Sequence, residues 1–513
     1  MFFVVSRAGI PTDQPNRAVL IPDNWDDWFK FETTFILCLV LDDFRTIRVG
    51  AVKIGHMGLQ GGREMAPGIR GPNIPEHFDQ LPPQYFSLGT SEDYYENLNT
   101  VSQALRQRVL TGLRDAAYDL NIFQAAASEP SMVNSLLRSI SAQAVVGRLN
   151  RLSHGNAERT PFAFRYAIQP AAANIPSPIL TFNVAPEVEP PTNVHVLIGR
   201  NGAGKTRLMR HMAEALLNKP ETPEDARGTI SFENELDAAA TGFAGLVLVS
   251  FSAFDNYTLQ PSETDRIPFV QVGLRHRVVV DGVESGGLKE PAQLATDFRL
   301  SLDKCRTGLR ADRWKAAVQT LETDDLFMEA NVVGLLDVPE EQRRDVIERY
   351  FTRLSSGHAI VLLTITKLVE LVDEQTMVLL DEPEGHLHPP LLAAFIRSLS
   401  DLLVKRNGVA VIATHSPVVL QEVPRHCAWK IRRSGHVSAA DRPVVETFGE
   451  NVGILTREVF GLEVTRSGFH SLLEGAVRSG STYEQILARF NGQLGLEARA
   501  IVHGLIAERD RLA

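Results

Sequence analysis

Two short stretches carry side chains whose types and spacing could do chemistry together. In "LIGRNGAGKTRL", Gly199, Gly202, Gly204, Lys205 and Thr206 fill the G-x-x-x-x-G-K-T pattern, and Asn201 and Ala203 complete the loop. Glycines let a backbone wrap closely round phosphate oxygens, so that main-chain N–H groups and a helix N-terminus face the anion. Lys205 then reaches the outer phosphates, and the Thr206 hydroxyl ligates Mg²⁺. In "TMVLLDEPEGHLHPP", the apolar run Met377–Leu380 leads straight into two adjacent carboxylates, Asp381 and Glu382. Beside a phosphate loop, Asp381 has a metal to hold, and Glu382 has a water to polarise as a general base. Together the two stretches predict a site for a nucleoside triphosphate and Mg²⁺.

Two further pieces belong to the same set. "RLSSGH" places Ser355, Ser356 and Gly357 at the start of an apolar helix, 24 residues (381−357) ahead of Asp381. A Ser-Gly turn there offers a second phosphate-binding helix N-terminus. "VAVIATHSP" is an apolar strand that ends on His415, positioned to contact a terminal phosphate.

The elements that must position these residues are legible around them. An apolar strand over Val194–Ile198 enters the glycine loop, and a helix with Leu208, Met209, Met212 and Leu216 on one face leaves it. Beyond the Pro-rich approach at 167–193, strands and helices alternate in the α/β manner. Ahead of it, "FKFETTFILCLVLDDFRTIRVGAVKIG" predicts a hairpin turning at Asp42-Asp43. "TSEDYYENLNTVSQALRQRVLTGLRDAAYDL" predicts helix, started by a Thr90–Asp93 capping box, with more helix through "SMVNSLLRSISAQAVVGRL". The expected division is an N-terminal α+β region at 1–155, an α/β head at 156–445 with a mostly helical, charged insertion at 256–350, and a helical tail at 446–513. A chain of 513 residues is long enough for several cores. Its net charge of −10 argues against wholesale coating of nucleic acid. The three cysteines, Cys38, Cys305 and Cys427, lie far apart, which predicts a reducing compartment without a disulfide framework. With no membrane-length apolar run, the chain is expected in the cytoplasm.

The order glycine loop, L-S-S-G, φφφφ-D-E-P, then T-H-S resembles the head of ABC-type ATPases, within the P-loop NTPase fold. That resemblance covers about 162–429. "DEPEGHLHP" is similar to the wording of the OLD/AAA15 branch more than to transporter subunits, and the wider group includes SMC/Rad50-like ATPases. It implies an ATP-sandwiched homodimer, in which Ser355, Ser356 and Gly357 of one protomer close over the nucleotide at Lys205 of the other. It also implies catalysis by Glu382, His415 and Lys205, and Mg²⁺ on Thr206 and Asp381.

Some of the pattern departs. No glutamine stands where that family's Q-loop falls; Ser252, Asp255 and Gln260 are the candidates. Only 148 residues (354−206) separate Thr206 from Leu354, too few for a long coiled coil. "LLEGAV" resembles the opening of a Toprim nuclease, but Asp510 is the sole aspartate after it, so Glu474 is expected on a helix surface. No Cys/His spacing suggests a metal site elsewhere, His386 and His388 belonging to the neighbourhood of the Asp-Glu pair. By its head motifs, short insertion and missing nuclease the chain is most similar to the PtuA-type ATPase subunits of Septu and retron-associated anti-phage systems, which implies a separate nuclease-like effector. The alternatives are a DNA-repair or chromosome-maintenance ATPase and a regulatory ATP-binding scaffold. DNA or RNA contact would use the basic run "DKCRTGLRADRWK", with Lys304, Arg306, Arg310, Arg313 and Lys315 and Trp314 for stacking, together with Arg275, Arg277, Arg432 and Arg433.

Overall fold

A computed structural model describes residues 2–512, except 8, 11–13, 24–30, 63–69, 139, 141, 156–158, 170–176, 220–226, 233–241, 252–258, 260–261, 263–264, 266, 281–282, 435–436 and 462–467. The β-branched runs at the start of the chain form β1 (Phe2–Val5), β2 (Arg17–Pro22), β3 (Thr34–Val40), β4 (Thr46–His56), β5 (His77–Phe78) and β6 (Tyr85–Gly89). They build one sheet in the order β5-β1-β2-β3-β4-β6, and β3 and β4 are the antiparallel hairpin that turns at Asp42-Asp43.

The helical stretch that follows is broken where one long helix was expected. It forms α1 (Glu92–Asn99), α2 (Gln103–Gly112) and α3 (Leu120–Ala126), then two π-helical turns at Met132–Leu136 and Val145–Leu149, with α4 (Ala142–Ala144) and α5 (Asn150–Ser153) beside the second. The Thr90–Asp93 capping box does not form. Ser91 is the N-cap of α1, Thr90 Oγ1 donates to the Ala51 carbonyl, and Asp93 is drawn into ion pairs with Arg310 and Arg313. Two half-buried guanidinium partners outcompete a local cap.

The head holds two sheets. A three-stranded layer, β10-β7-β8, comes from β7 (Phe162–Ala167), β8 (Ile179–Val184) and β10 (Thr229–Phe232). The central sheet takes β9 (Val194–Ile198), β11 (Gly245–Ser250), β12 (Phe269–Gly273), β15 (Thr376–Asp381), β16 (Val409–Thr414), β17 (Ala428–Ser434) and β18 (Val437–Asp441) in the order β12-β11-β15-β16-β9-β17-β18. All its pairings are parallel except β17–β18. Every residue of β9, β15 and β16 is buried. A parallel sheet covered on both faces needs such unbroken apolar runs.

The insertion is only partly helical. After β12 comes a hairpin of β13 (Arg275–Val280) and β14 (Val283–Leu288), where helix was expected. Then follow α7 (Pro291–Lys304), α8 (Gly308–Leu321), α9 (Asp325–Glu329), α10 (Arg343–Arg353) and α11 (Ser356–Leu371). The helix leaving the glycine loop is α6 (Lys205–Leu217); α12 (Pro389–Arg406) and α13 (Pro417–Gln421) follow β15 and β16. Phe298, Trp314, Phe351 and Phe395 join β15 and β16 residues in one core, while Met209 and Met212 of α6 belong to the core on the sheet's other face. Of the tail helices, Val452–Phe460 packs on the head core through Leu455, while Phe469–Arg478, Tyr483–Arg489 and Leu496–Leu512 carry a small core of their own. Glu474 lies on Phe469–Arg478 and pairs with Arg478. Among the described residues, no helix is long and apolar enough to cross a membrane.

Candidate nucleotide site

Register brings the predicted residues to one edge. Ile198 pairs with Thr414 and Ala413 with Asp381, so β9, β16 and β15 end level with one another. Their carboxyl ends lead respectively into the glycine loop, His415 and Glu382. In open α/β sheets, ligands bind outside that edge. β16 lies between β15, which ends on Asp381, and β9, which leads through the glycine loop to Lys205, so His415 follows the middle strand.

The glycine loop needs its glycines for two different reasons. Gly202 and Gly204 sit at φ 79° and 93°, a region side chains disfavour, and open space lies where their Cβ atoms would be. Gly199 is needed for packing, because a Cβ there would come within 2.3 Å of the Ile431 carbonyl oxygen. Asn201, Gly202 and Thr206 are exposed, Gly204 is half-buried, and Ala203 packs into the core beside α6. Lys205 is buried, and its ammonium donates to the Gly199 and Arg200 carbonyls at 3.0 and 3.1 Å. Burial lowers its pKa, against the pull of Glu382, Asp381 and Glu384.

Asp381 is buried at the end of β15. Glu382 follows at φ 46°, in the left-handed region, with its N–H donating to the Ala413 carbonyl at 2.8 Å. For a non-glycine residue that conformation is strained. It turns the Glu382 side chain outward, 40% exposed, while Asp381 stays in. A hydroxyl and a carboxylate are hard oxygen ligands of the kind Mg²⁺ takes, and Thr206 and Asp381 supply that pair.

One residue was missed. Glu384 Oε1 accepts from Thr414 Oγ1 at 2.5 Å and from the His415 N–H at 2.8 Å, and lies 3.2 Å from His415 Nδ1. His415 Nδ1 is 3.8 Å from Glu382 Oε1. Glu384 thus holds the β16 end against the segment after β15. The second glutamate of D-E-P-E was the available signal.

Ser355 and Ser356 are exposed at the start of α11, while Gly357 and His358 are buried. Ser355 is the N-cap, its hydroxyl accepting from the His358 N–H. A Cβ on Gly357 would fall 2.6 Å from the His386 carbonyl oxygen, so the serine turn lies directly on the segment after Asp381-Glu382. The Q-loop candidates Ser252, Asp255 and Gln260 lie outside the described residues.

Much of the basic run is engaged within the chain. Trp314 is fully buried with its Nε1–H on Thr366 Oγ1, so it has no face free for stacking. Arg310 and Arg313 pair with Asp93, Arg306 with Asp303 and two carbonyls, and Lys304 with Glu370. Arg432 pairs with Asp441, and Arg275 and Arg433 also have partners.

Residues 247–421 match the family described as "AAA domain, putative AbiEii toxin, Type IV TA system". Protein ea59 of Escherichia phage lambda is 40% identical over 534 aligned positions, spanning 99% of this chain and 98% of the phage protein. The chain belongs to the ea59 family. Solved structures with low overall similarity include an ABC transporter of "putative metal-chelate type" in an inward-facing conformation (14% identity, TM-score 0.30, covering 58% of this chain and 89% of that one). Another is an ATP-binding cassette of an ABC transporter in its ADP conformation (13% identity, TM-score 0.27, covering 60% and 100%). This member of the ea59 family is thus a mixed α/β protein with a P-loop and an AAA-domain match over residues 247–421.

Proposed function

We propose that this protein hydrolyses ATP with Mg²⁺ as a head-to-head dimer, and that closing and opening of the dimer gates a separate nuclease-like effector in anti-phage defence, in the manner of PtuA-type subunits. The observation that carries the ATPase part is the meeting of Lys205, Asp381, Glu382 and His415 at the ends of three adjacent parallel strands. Thr206 and Asp381 would hold Mg²⁺, which when bound neutralises charge on the terminal phosphates. Glu382, turned outward by its backbone, accepts the proton of the attacking water. Lys205 and His415 donate to the terminal phosphate and stabilise the charge that develops there. The exposed Ser355-Ser356 turn is the surface offered to a second protomer's nucleotide. Burial of Trp314 and the pairing of Arg310 and Arg313 with Asp93 weigh against the DNA-repair alternative, since these members of the run expected to contact phosphates are occupied within the chain. Cytoplasmic action fits the unpaired, buried cysteines.

The test uses a tagged Glu382→Gln chain expressed in its native host and held in the ATP-bound state. We expect hydrolysis to fall by about 10²- to 10⁴-fold with ATP binding kept, the chain to elute as a dimer with ATP, and a nuclease-like protein to co-purify. Hydrolysis equal to wild type would overturn the role of Glu382. Recovery of DNA-repair proteins, or of nothing beside the chain itself, would overturn effector gating.

A further inference from the structure

Asp324, His358 and His388 stand on three separate elements and meet at one point. Asp324 is the N-cap of α9 in the insertion, His358 follows the Ser355-Ser356-Gly357 turn in α11, and His388 is the N-cap of α12. His358 Nε2 lies 3.0 Å from Asp324 Oδ1, and His388 Nε2 lies 3.2 Å from Asp324 Oδ2. The three candidate ligand atoms all lie within 4.8 Å of one another. We propose that these residues form a binding site for a divalent transition metal of the Zn²⁺ class, which pins the serine turn, the segment after Asp381-Glu382 and the insertion together.

The donor set is the first reason. Two imidazoles and a carboxylate are borderline-soft ligands that suit Zn²⁺ better than Mg²⁺ or Ca²⁺. Geometry is the second. Metal bonds of about 2.0–2.1 Å in a tetrahedron set the ligand atoms about 3.3 Å apart. Each imidazole already stands about that far from one of the two Asp324 oxygens, and with one atom taken from each residue every spacing is within 4.8 Å, so a modest closure around one oxygen completes three corners.

The surroundings orient the ligands. His358 Nδ1 lies 2.6 Å from Ser355 Oγ, and a ring that donates there keeps its Nε2 lone pair for a metal. The Leu326 N–H holds Asp324 Oδ1 at 3.0 Å. On the exposed side, His388 is 51% accessible, leaving an entry path and a fourth position for water or another donor. One existing bond has to yield: the Leu391 N–H reaches His388 Nδ1 at 3.4 Å, and a metal on Nε2 would leave a proton on Nδ1. That contact is long, so its loss is a small cost. Direct histidine–aspartate hydrogen bonds with no metal are the competing outcome.

Because His358 follows the serine turn, an ion here would fix that turn against the neighbouring segment. This consequence rests on the dimer proposed above; the site itself does not. The test is a Co²⁺ titration of the full, nucleotide-free chain after treatment with chelator. We expect one equivalent per chain, with the visible bands of tetrahedral Co²⁺ and displacement by Zn²⁺. His388→Ala, at an exposed side chain, and Asp324→Asn should each weaken binding at least about tenfold. Asp381→Asn should leave the bands unchanged, which separates this site from the one for Mg²⁺. Absence of tetrahedral bands, their persistence in His388→Ala, or their loss in Asp381→Asn would each overturn the proposal. None of those results bears on ATP hydrolysis, which is assayed with Mg²⁺ alone.

Discussion

Arg406 joins the N-terminal region to the head, and replacing it with methionine is a direct test of how firmly. Its guanidinium is 2% exposed and pairs with Glu92, Glu96 and Asp373 while donating to the Val372 carbonyl. Glu92, also 2% exposed, has Arg148 as its other cationic partner and accepts the Glu374 N–H. Methionine fills much of the same volume, so packing changes little, but Glu92 loses one of two cations in a dry setting. Removing one partner of a buried ion pair costs about 3–5 kcal/mol, mostly from the charge left behind. At 1.36 kcal/mol per tenfold, that is a factor of about 10^2.2 to 10^3.7 in the equilibrium for separating α1 from the head. Hydrogen exchange of the α1 amides, read by mass spectrometry, reports that opening directly. We expect exchange across Glu92–Asn99 to quicken by that factor, and a Glu92→Gln/Arg406→Met pair to recover much of it. Acceleration below about tenfold, or a double variant worse than the sum of its parts, would refute the view that this buried cluster locks the two regions.

Three other outcomes follow from single contacts. Burial alone would raise the Asp93 carboxyl, but Arg310, Arg406 and Arg313 outweigh it and hold it at about 2. A carboxyl depressed in the fold stabilises it above its ordinary pKa and stops doing so as pH falls through the folded value, so about 2 kcal/mol should vanish between about pH 4 and pH 2. Acid unfolding of Asp93→Asn, compared with wild type, should lack that component. Gly357→Ala should cost about 1–3 kcal/mol, because its Cβ meets the His386 carbonyl oxygen; a melting temperature equal to wild type would show that the serine turn has room to move. Glu384→Ala orphans the Thr414 hydroxyl and the His415 N–H, at about 1–3 kcal/mol for a buried one. Its turnover should fall, and Glu384→Gln, which keeps an acceptor oxygen, should restore much of it; equal turnover in both variants would remove Glu384 from any positioning role.

The amino-acid sequence by itself determined the motifs of the candidate nucleotide site, because they are local. A glycine loop, a strand ending in two carboxylates and a strand ending in histidine are each written in consecutive residues, and an apolar run of four or five is enough to mark a buried parallel strand. The hairpin at Asp42-Asp43 was legible for the same reason. Tertiary structure alone decided which charges were spent inside the molecule. "GLRADRW" reads as a basic, stackable surface until Asp93 and Glu96, more than two hundred residues earlier, are found beside it. The pairing of Asp93 with those arginines also cancelled the expected helix cap at Thr90. Asp324, His358 and His388 lie 34 (358−324) and 30 (388−358) residues apart, with no spacing that marks metal ligands. Side chains brought together by packing leave no periodic trace along a chain, whereas those placed by one turn or one strand end do.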